Sequence, residues 1–308
     1  MKVYRSLEEI PKLQKPVVTI GTFDGVHRGH QQIIHRVKKA ADELAGETFI
    51  FTFHPHPRQV LFPHQTDLKL LTLIHEKLEL LEKAGLDHVL VYPFTKEFAQ
   101  LSAQDYVRQI LVEGIGTKKL IIGYDHRFGN NREGNIETLK QASGLYGFTV
   151  EEIPAQEIDH VNVSSTRIRK ALDAGDIQTA GSFLGYNYFL SGKVVEGKKL
   201  GRQLGYPTAN IQVAESAKLI PGIGIYAVTT KVLGQRYKGM MSVGLNPTTD
   251  TDNKLKIEVN IFNFDKEIYG ETITVEFVKR LRNEERFASL DELVKQLAAD
   301  KEHALSVL

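Results

Sequence analysis

Two histidines three residues apart, His27 and His30, end the segment Gly21-Thr22-Phe23-Asp24-Gly25-Val26-His27-Arg28-Gly29-His30. A short apolar stretch, Val17–Ile20, precedes it, and a helical pattern opens with it. Glycine at 21 and 25 lets the backbone turn tightly and approach a ligand. A helix beginning here offers unsatisfied N–H groups and the positive end of its dipole, which suits phosphate. Two imidazoles at this spacing can face one phosphate and stabilise charge on it. The bland reading of the same residues is a glycine-rich strand–helix turn with two surface histidines.

A second glycine-rich, basic stretch, Gly192 to Arg202, is followed by Gly205-Tyr206-Pro207-Thr208-Ala209-Asn210. Backbone N–H groups of such a loop can wrap nucleotide phosphates, here around Gly197, Lys199, Gly201 and Arg202. The spacing is not that of a P-loop. Thr208 and Asn210 carry hard oxygen donors suited to Mg²⁺. His54 and His56 follow an apolar run, but no carboxylate completes a metal set, so that loop is expected to shape a nucleotide pocket. Asp125, Arg127 and Phe128 lie in a further polar, glycine-flanked loop, Gly123–Gly129.

The elements that must position these residues change character along the chain. Up to about residue 186, strand-like and helix-like segments alternate. Strands are predicted at 17–20, 48–53, 88–92, 120–122 and 148–153, and helices at 29–45, 71–83, 103–112 and 136–145. Such alternation argues for an α/β fold with a parallel sheet and right-handed crossovers. Ligands then sit beyond the carboxyl ends of the strands, which places the loops after Ile20, Phe53 and Ile122 at the site. Short helices are predicted at 166–172 and 177–184. Beyond Gly185 the pattern turns β-rich, with strands at 189–195, 225–232, 237–243, 256–264 and 272–278 and a closing helix at 289–304. A small antiparallel β-barrel with a terminal helix is expected there. The expected domains are 1–186 and 187–308.

The first segment resembles the HxGH signature of the nucleotidyltransferase superfamily, and Val163-Ser164-Ser165-Thr166-Arg167-Ile168-Arg169 is similar to that superfamily's ISSTxxR motif. Gly123–Gly129 resembles the flavin-side loop GxDFRFG of bacterial FAD synthetases, with His126 in place of the usual Phe. Gly192–Asn210 resembles the fingerprint GxVVxGxxxGRxLGYPTAN of riboflavin kinases. Ile257–Phe264 resembles that family's VETHIFDF, with Glu258 retained and Asn260 and Asn263 standing where the pattern has His and Asp. Nearly the whole chain thus resembles the bacterial bifunctional riboflavin kinase/FAD synthetase family. That resemblance implies a Rossmann-like nucleotidyltransferase domain before a kinase barrel. It implies ATP-dependent phosphorylation of riboflavin to FMN and adenylylation of FMN to FAD, with Mg²⁺. It also implies roles. Glu258 is the kinase base, with Thr208 and Asn210 on the metal. His27, His30 and Arg167 stabilise charge in adenylyl transfer, with Gly21, Phe23, Asp24, Gly25, Gly29, Ser164, Ser165 and Thr166 around the nucleotide. Asp125, Arg127 and Phe128 take the flavin.

Composition narrows the alternatives. The 308 residues carry 39 Lys+Arg and 38 Asp+Glu, a net charge of +1, so no broad field draws nucleic acid or an anionic membrane. Charge is balanced in both parts. With no cysteine, disulfides, thiolate catalysis and Cys-ligated metals are excluded. The N-terminus has no apolar core of a secretory signal, and no apolar run is long enough to span a bilayer. A cytoplasmic enzyme acting on small molecules is expected. Its rivals are an adenylyltransferase for another acceptor, a flavin-binding regulator without catalysis, and a nucleic-acid-binding barrel.

Overall fold

The computed structural model describes residues 1–65, 68–124, 126–154, 163–197, 200–245 and 255–308. Two units divide the chain, Met1–Ser164 and Ser165–Leu308.

The first unit is built on six strands: β1 (Lys2–Tyr4), β2 (Val17–Ile20), β3 (Thr48–His54), β4 (His88–Pro93), β5 (Lys119–Gly123) and β6 (Thr149–Ile153). They lie in the order β1-β4-β3-β2-β5-β6, and every neighbouring pair is parallel. The helices are α1 (Arg28–Leu44), α2 (Pro57–Leu61), α3 (Ile74–Lys83), α4 (Ala103–Asp105), which runs on as a π-helix over Tyr106–Gly114, and α5 (Ile136–Tyr146). Alternation along the strands divides the core in two. Val18, Phe49, Leu90 and Leu120 pack with Tyr106, Ile110 and Leu139. Their neighbours Val17 and Ile121 pack against Val37 of α1, and Ile50 and Val89 against Leu81 of α3. Both faces are therefore covered, as a parallel sheet requires. The edge strand β1 is too short to show periodicity in the sequence.

Strand order reverses at β2. The chain moves one way to β3 and later returns to the other side as β5. β2 pairs with β3 over Val17–Ile20 but with β5 only at Val17 and Val18. The strands thus part beyond Val18, opening the crevice where open α/β sheets take their ligands. The glycine–histidine loop begins at its mouth.

The second unit contains α6 (Ser165–Asp173), α7 (Ile177–Leu184), β7 (Phe189–Val195), α8 (Leu200–Gln203), β8 (Ala209–Gln212), β9 (Gly224–Val232), β10 (Gln235–Leu245), β11 (Leu255–Ile261), β12 (Thr272–Arg282) and α9 (Leu290–Val307). The strands close into an antiparallel barrel in the order β10-β11-β8-β7-β12-β9. Leu233 and Gly234, with φ of +49° and +79°, make the two-residue β9–β10 turn. Ser289 caps α9, its Oγ accepting from the Glu292 N–H at 3.2 Å, while the Glu292 carboxylate accepts from Ala288 N–H at 3.1 Å. Asp300 on this helix takes a bidentate pair from Arg282 of β12, at 2.9 and 2.7 Å.

The pattern change near residue 186 and the division between units do not coincide. α6 and α7 bury Ile168, Leu172, Ile177, Ala180 and Leu184. The Leu172 carbonyl accepts from Gly222 N–H at 2.8 Å, and Arg280 of β12 donates to the carbonyls of Ala174 and Ile223 at 3.3 and 2.5 Å. These contacts group both helices with the barrel.

Candidate active sites

In the first unit the loop after β2 is strained in a specific way. Phe23, Gly25 and Val26 all have positive φ, at +48°, +81° and +35°. Only glycine takes such values freely, so two side-chain-bearing residues are held there by their surroundings. Asp24 does much of the holding. Its buried carboxylate accepts from the N–H groups of Leu71 and Thr72 at 3.2 and 3.0 Å, and Thr72 Oγ1 accepts from Gly25 N–H at 3.0 Å. Asp24, expected among the phosphate contacts, thus fastens the loop to the segment entering α3. A β-carbon on Gly21 would lie 3.1 Å from the Phe23 ring, which explains glycine there.

His27 caps α1, its Nδ1 accepting from His30 N–H at 3.4 Å. The two imidazoles stack at 3.7 Å between centroids, with Phe23 tilted against His30 at 5.0 Å. His30 Nδ1 is buried and has no hydrogen-bond partner among the described residues. Burial, then the neighbouring His27 and Lys77, hold the His30 pKa well below the usual imidazole value. The pair that the sequence singles out is therefore one close-packed group at the start of a helix, with Gly29 buried beneath it.

Sequence reasoning passed over Lys77. It lies one turn into α3, 6% exposed, with Nζ donating to Thr52 Oγ1 at 3.4 Å. Burial lowers its pKa to about 8, opposed by the Asp24 carboxylate. The signal was available: Ile74, Lys77, Leu78 and Leu81 share the core-facing spacing of a helix.

The remaining expected residues of this unit lie apart in kind. Arg127 is exposed, whereas Phe128 is buried, its ring 5.2 Å from that of Tyr106. Phe128 and Gly134 exchange backbone hydrogen bonds of 3.2 and 2.9 Å, which fold the loop back on itself. Asp125 is outside the described residues. His56 caps α2 through Arg58 N–H at 3.2 Å. Ser164 closes the first unit, while Ser165, Thr166 and Arg167 open α6 in the second.

In the barrel, Asn210 of β8 stands directly opposite Glu258 of β11, so their side chains share a face. Thr208 Oγ1 lies 3.4 Å from Glu258 Oε1, and Lys256 Nζ lies 2.9 Å from Oε2. A β-carbon on Gly197 would run into the Asn210 amide, and one on Gly201 into the Tyr206 carbonyl. These glycines let the loop close down on the Thr208–Asn210 segment. Arg202 is exposed, 3.8 Å from Glu267; Lys199 is outside the described residues. Asn260, which departs from the family pattern, donates its amide to the Pro207 carbonyl at 2.7 Å and so ties that segment to β11. Asn263, the other departure, takes a φ of +54°, which asparagine tolerates better than most residues. A cavity of about 420 Å³ beside this group is lined by Tyr206, Pro207, Asn260, Phe262, Phe264 and Lys301, among others. The Thr208 hydroxyl and the Asn210 amide oxygen are hard oxygen donors that fit Mg²⁺ carried in with nucleotide phosphates, beside the Glu258 carboxylate.

A doubly wound sheet with a glycine–histidine loop at its switch point, followed by a closed barrel with a carboxylate and oxygen donors, is the framework of a two-unit enzyme. The family pattern described as FAD synthetase matches residues 9–167, and that described as riboflavin kinase matches residues 184–308. A bifunctional riboflavin kinase/FMN adenylyltransferase of Pseudomonas fluorescens is 38% identical over 97% of this chain and 96% of its own length. One of Escherichia coli K12 is 35% identical over 98% and 96%. A solved structure from Streptococcus pneumoniae, named a macrolide-efflux protein, is similar with a TM-score of 0.88 at 33% identity, covering 98% of this chain and 97% of that one. No helix among the described residues here is long and apolar enough to cross a membrane. The chain belongs to the bifunctional riboflavin kinase/FMN adenylyltransferase family. It phosphorylates riboflavin to FMN and adenylylates FMN to FAD, with ATP as the second substrate of both steps.

Proposed function

We propose that the two steps are divided between the two centres, adenylyl transfer at the His27–His30 loop and riboflavin phosphorylation at Glu258. The supporting observation is that the two central groups fall in different units: stacked imidazoles at a helix start in the first, Thr208, Asn210 and Glu258 grouped in the second. In the kinase step Glu258 accepts the proton of the ribityl hydroxyl as that oxygen attacks the γ-phosphorus of ATP. Lys256 steadies one carboxylate oxygen, and Oε1 faces Thr208. Thr208 and Asn210 would hold Mg²⁺, which supplies charge neutralisation on the ATP phosphates. In the adenylyl step the FMN phosphate is already a nucleophile, so the protein's task is positioning and charge stabilisation. His27 and His30 meet the growing charge on the phosphates. The Ser164–Arg167 motif is assigned to the same step, and Asp125, Arg127 and Phe128 to the flavin, by their match to family motifs. A cytoplasmic setting, with riboflavin, FMN and ATP as partners and no nucleic acid, fits a cysteine-free chain of net charge +1.

Flavin products separated by chromatography test the division, with the kinase step started from riboflavin and the adenylyl step from supplied FMN. His30→Ala should lower FAD formation from FMN and spare FMN formation from riboflavin, and Glu258→Gln should do the reverse. Equal loss in both assays for either variant refutes it.

A further inference from the structure

Lys77 occupies a position where a leucine would be expected. It lies on the buried face of α3 with Ile74, Leu78 and Leu81. A buried ammonium is costly unless paired and fully hydrogen-bonded. Among the described residues, Lys77 forms no ion pair and one long hydrogen bond, to Thr52 Oγ1 at 3.4 Å. The facing carboxylate, Asp24, is engaged elsewhere, one oxygen by Leu71 N–H and the other by Thr72 N–H. The facing imidazole, His30, has a buried Nδ1 with no hydrogen-bond partner among the described residues. Cation and imidazole are thus both left short of polar partners on the same side of the loop.

The position of Lys77 is as fixed as that of the loop. Asp24 and Gly25 are hydrogen-bonded to Leu71 and Thr72, and Glu76 caps the same turn by accepting from Leu73 N–H at 2.9 Å. α3 is thereby locked to the glycine–histidine loop, with Lys77 one turn inside. A tetrahedral oxyanion supplies several acceptor oxygens together and would satisfy both groups.

We propose that Lys77 is a further phosphate-holding residue of the adenylyl-transfer centre, its ammonium kept for a phosphate of ATP or of FMN. This rests on reading the His27–His30 loop as the phosphate site. In the reaction an FMN phosphate oxygen forms a bond to the α-phosphorus, and the bond to pyrophosphate breaks, its electron pair leaving with pyrophosphate. A fixed cation here offsets the charge gathered on the phosphoryl oxygens without moving a proton. The unpaired ammonium weakens the free protein and is repaid when the anion binds.

The test uses the full chain with Lys77→Met, which keeps length and apolar stem and removes the charge. FAD formation from FMN and ATP should fall by about 10²–10³-fold, as for loss of one preorganised electrostatic contact. FMN formation from riboflavin, read on the same preparation, should stay within about twofold. The free variant should melt at or above the parent temperature, and inorganic pyrophosphate should no longer raise its melting temperature. A rise in KM for ATP alone assigns the ammonium to ATP; a rise for FMN alone assigns it to FMN. FAD formation within about threefold of the parent, while His30→Ala loses it, overturns the role of Lys77. So does a lower melting temperature with the pyrophosphate shift intact, which marks a structural lysine. If both variants keep FAD synthesis, the reading of the loop itself fails. Lys77→Gln, with the same readouts, serves if the Met variant does not fold.

Discussion

Lys256 and Glu258 form an ion pair along one face of β11, Nζ 2.9 Å from Oε2, while Oε1 is turned to Thr208. The geometry separates two roles for Glu258. A partly exposed pair contributes only about 0–1 kcal/mol to stability, whereas a positioned base contributes about 10²–10⁴-fold to rate. Glu258→Gln should therefore leave the melting temperature nearly unchanged and reduce riboflavin phosphorylation by about 10²–10⁴-fold. FAD formation from supplied FMN should persist. A normal kinase rate in the folded variant would sink the assignment.

Gly197 lies where a β-carbon would strike the Asn210 amide. Gly197→Ala should push that amide from its place opposite Glu258, with a packing cost of about 1–3 kcal/mol. The expected reading is a raised KM for Mg-ATP in the kinase assay, with FAD synthesis from FMN unaffected. An unchanged KM would show that the loop does not need this approach.

His30 predicts a pH dependence of stability. Above the ordinary imidazole value of 6.5 the ring is neutral in both folded and unfolded chains. As pH falls below that value the unfolded chain takes up the proton first, because the folded pKa is lower. Stability is then lost at up to about 1.4 kcal/mol per pH unit from this group. In His30→Gln that contribution disappears, so the fall in urea midpoint between about pH 7 and about pH 5 should be shallower than in the parent. Equal slopes would mean that the His30 ring is solvated enough to titrate normally.

Asp300 is 3% exposed and holds Arg282 in a bidentate pair that fastens α9 to the barrel. Asp300→Ala leaves a guanidinium uncompensated and should cost about 3–5 kcal/mol. Chemical unfolding followed by far-ultraviolet circular dichroism measures it. A loss below about 1 kcal/mol would put the pair among ordinary surface bridges.

The kinase unit should be separable, and its best starting point is α6. Fragment 165–308 keeps the burial of Ile168, Leu172, Ile177, Ala180 and Leu184; fragment 187–308 loses it. Each fully buried leucine or isoleucine contributes about 1.5–3 kcal/mol, so the longer fragment should be clearly the more stable. Both should make FMN and neither FAD. Equal melting temperatures would show that α6 and α7 add nothing to the barrel.

Much of this was legible in the chain itself. The main strands and helices, the parallel sheet and the barrel follow from hydrophobic periodicity, because each strand or helix must turn its apolar face to a core; the short strands β1 and β8 lie below what periodicity can show. His27, His30, Thr208 and Asn210 stand in motifs whose local geometry is encoded over a few residues: a tight glycine turn, a helix start, a strand entry. Contacts between segments distant in sequence had to wait for the fold. Only the folded α3 buries Lys77 and sets it beside His30, 47 positions earlier in the chain. The sequence shows only that it shares a helix face with Ile74, Leu78 and Leu81, not what that face meets. Only strand register puts Glu258 across from Asn210, and only helix packing gives α6 and α7 to the barrel rather than to the sheet. Periodicity reports which face of an element is apolar. It does not report which other element meets that face, because that choice is made by the collective packing of the whole unit.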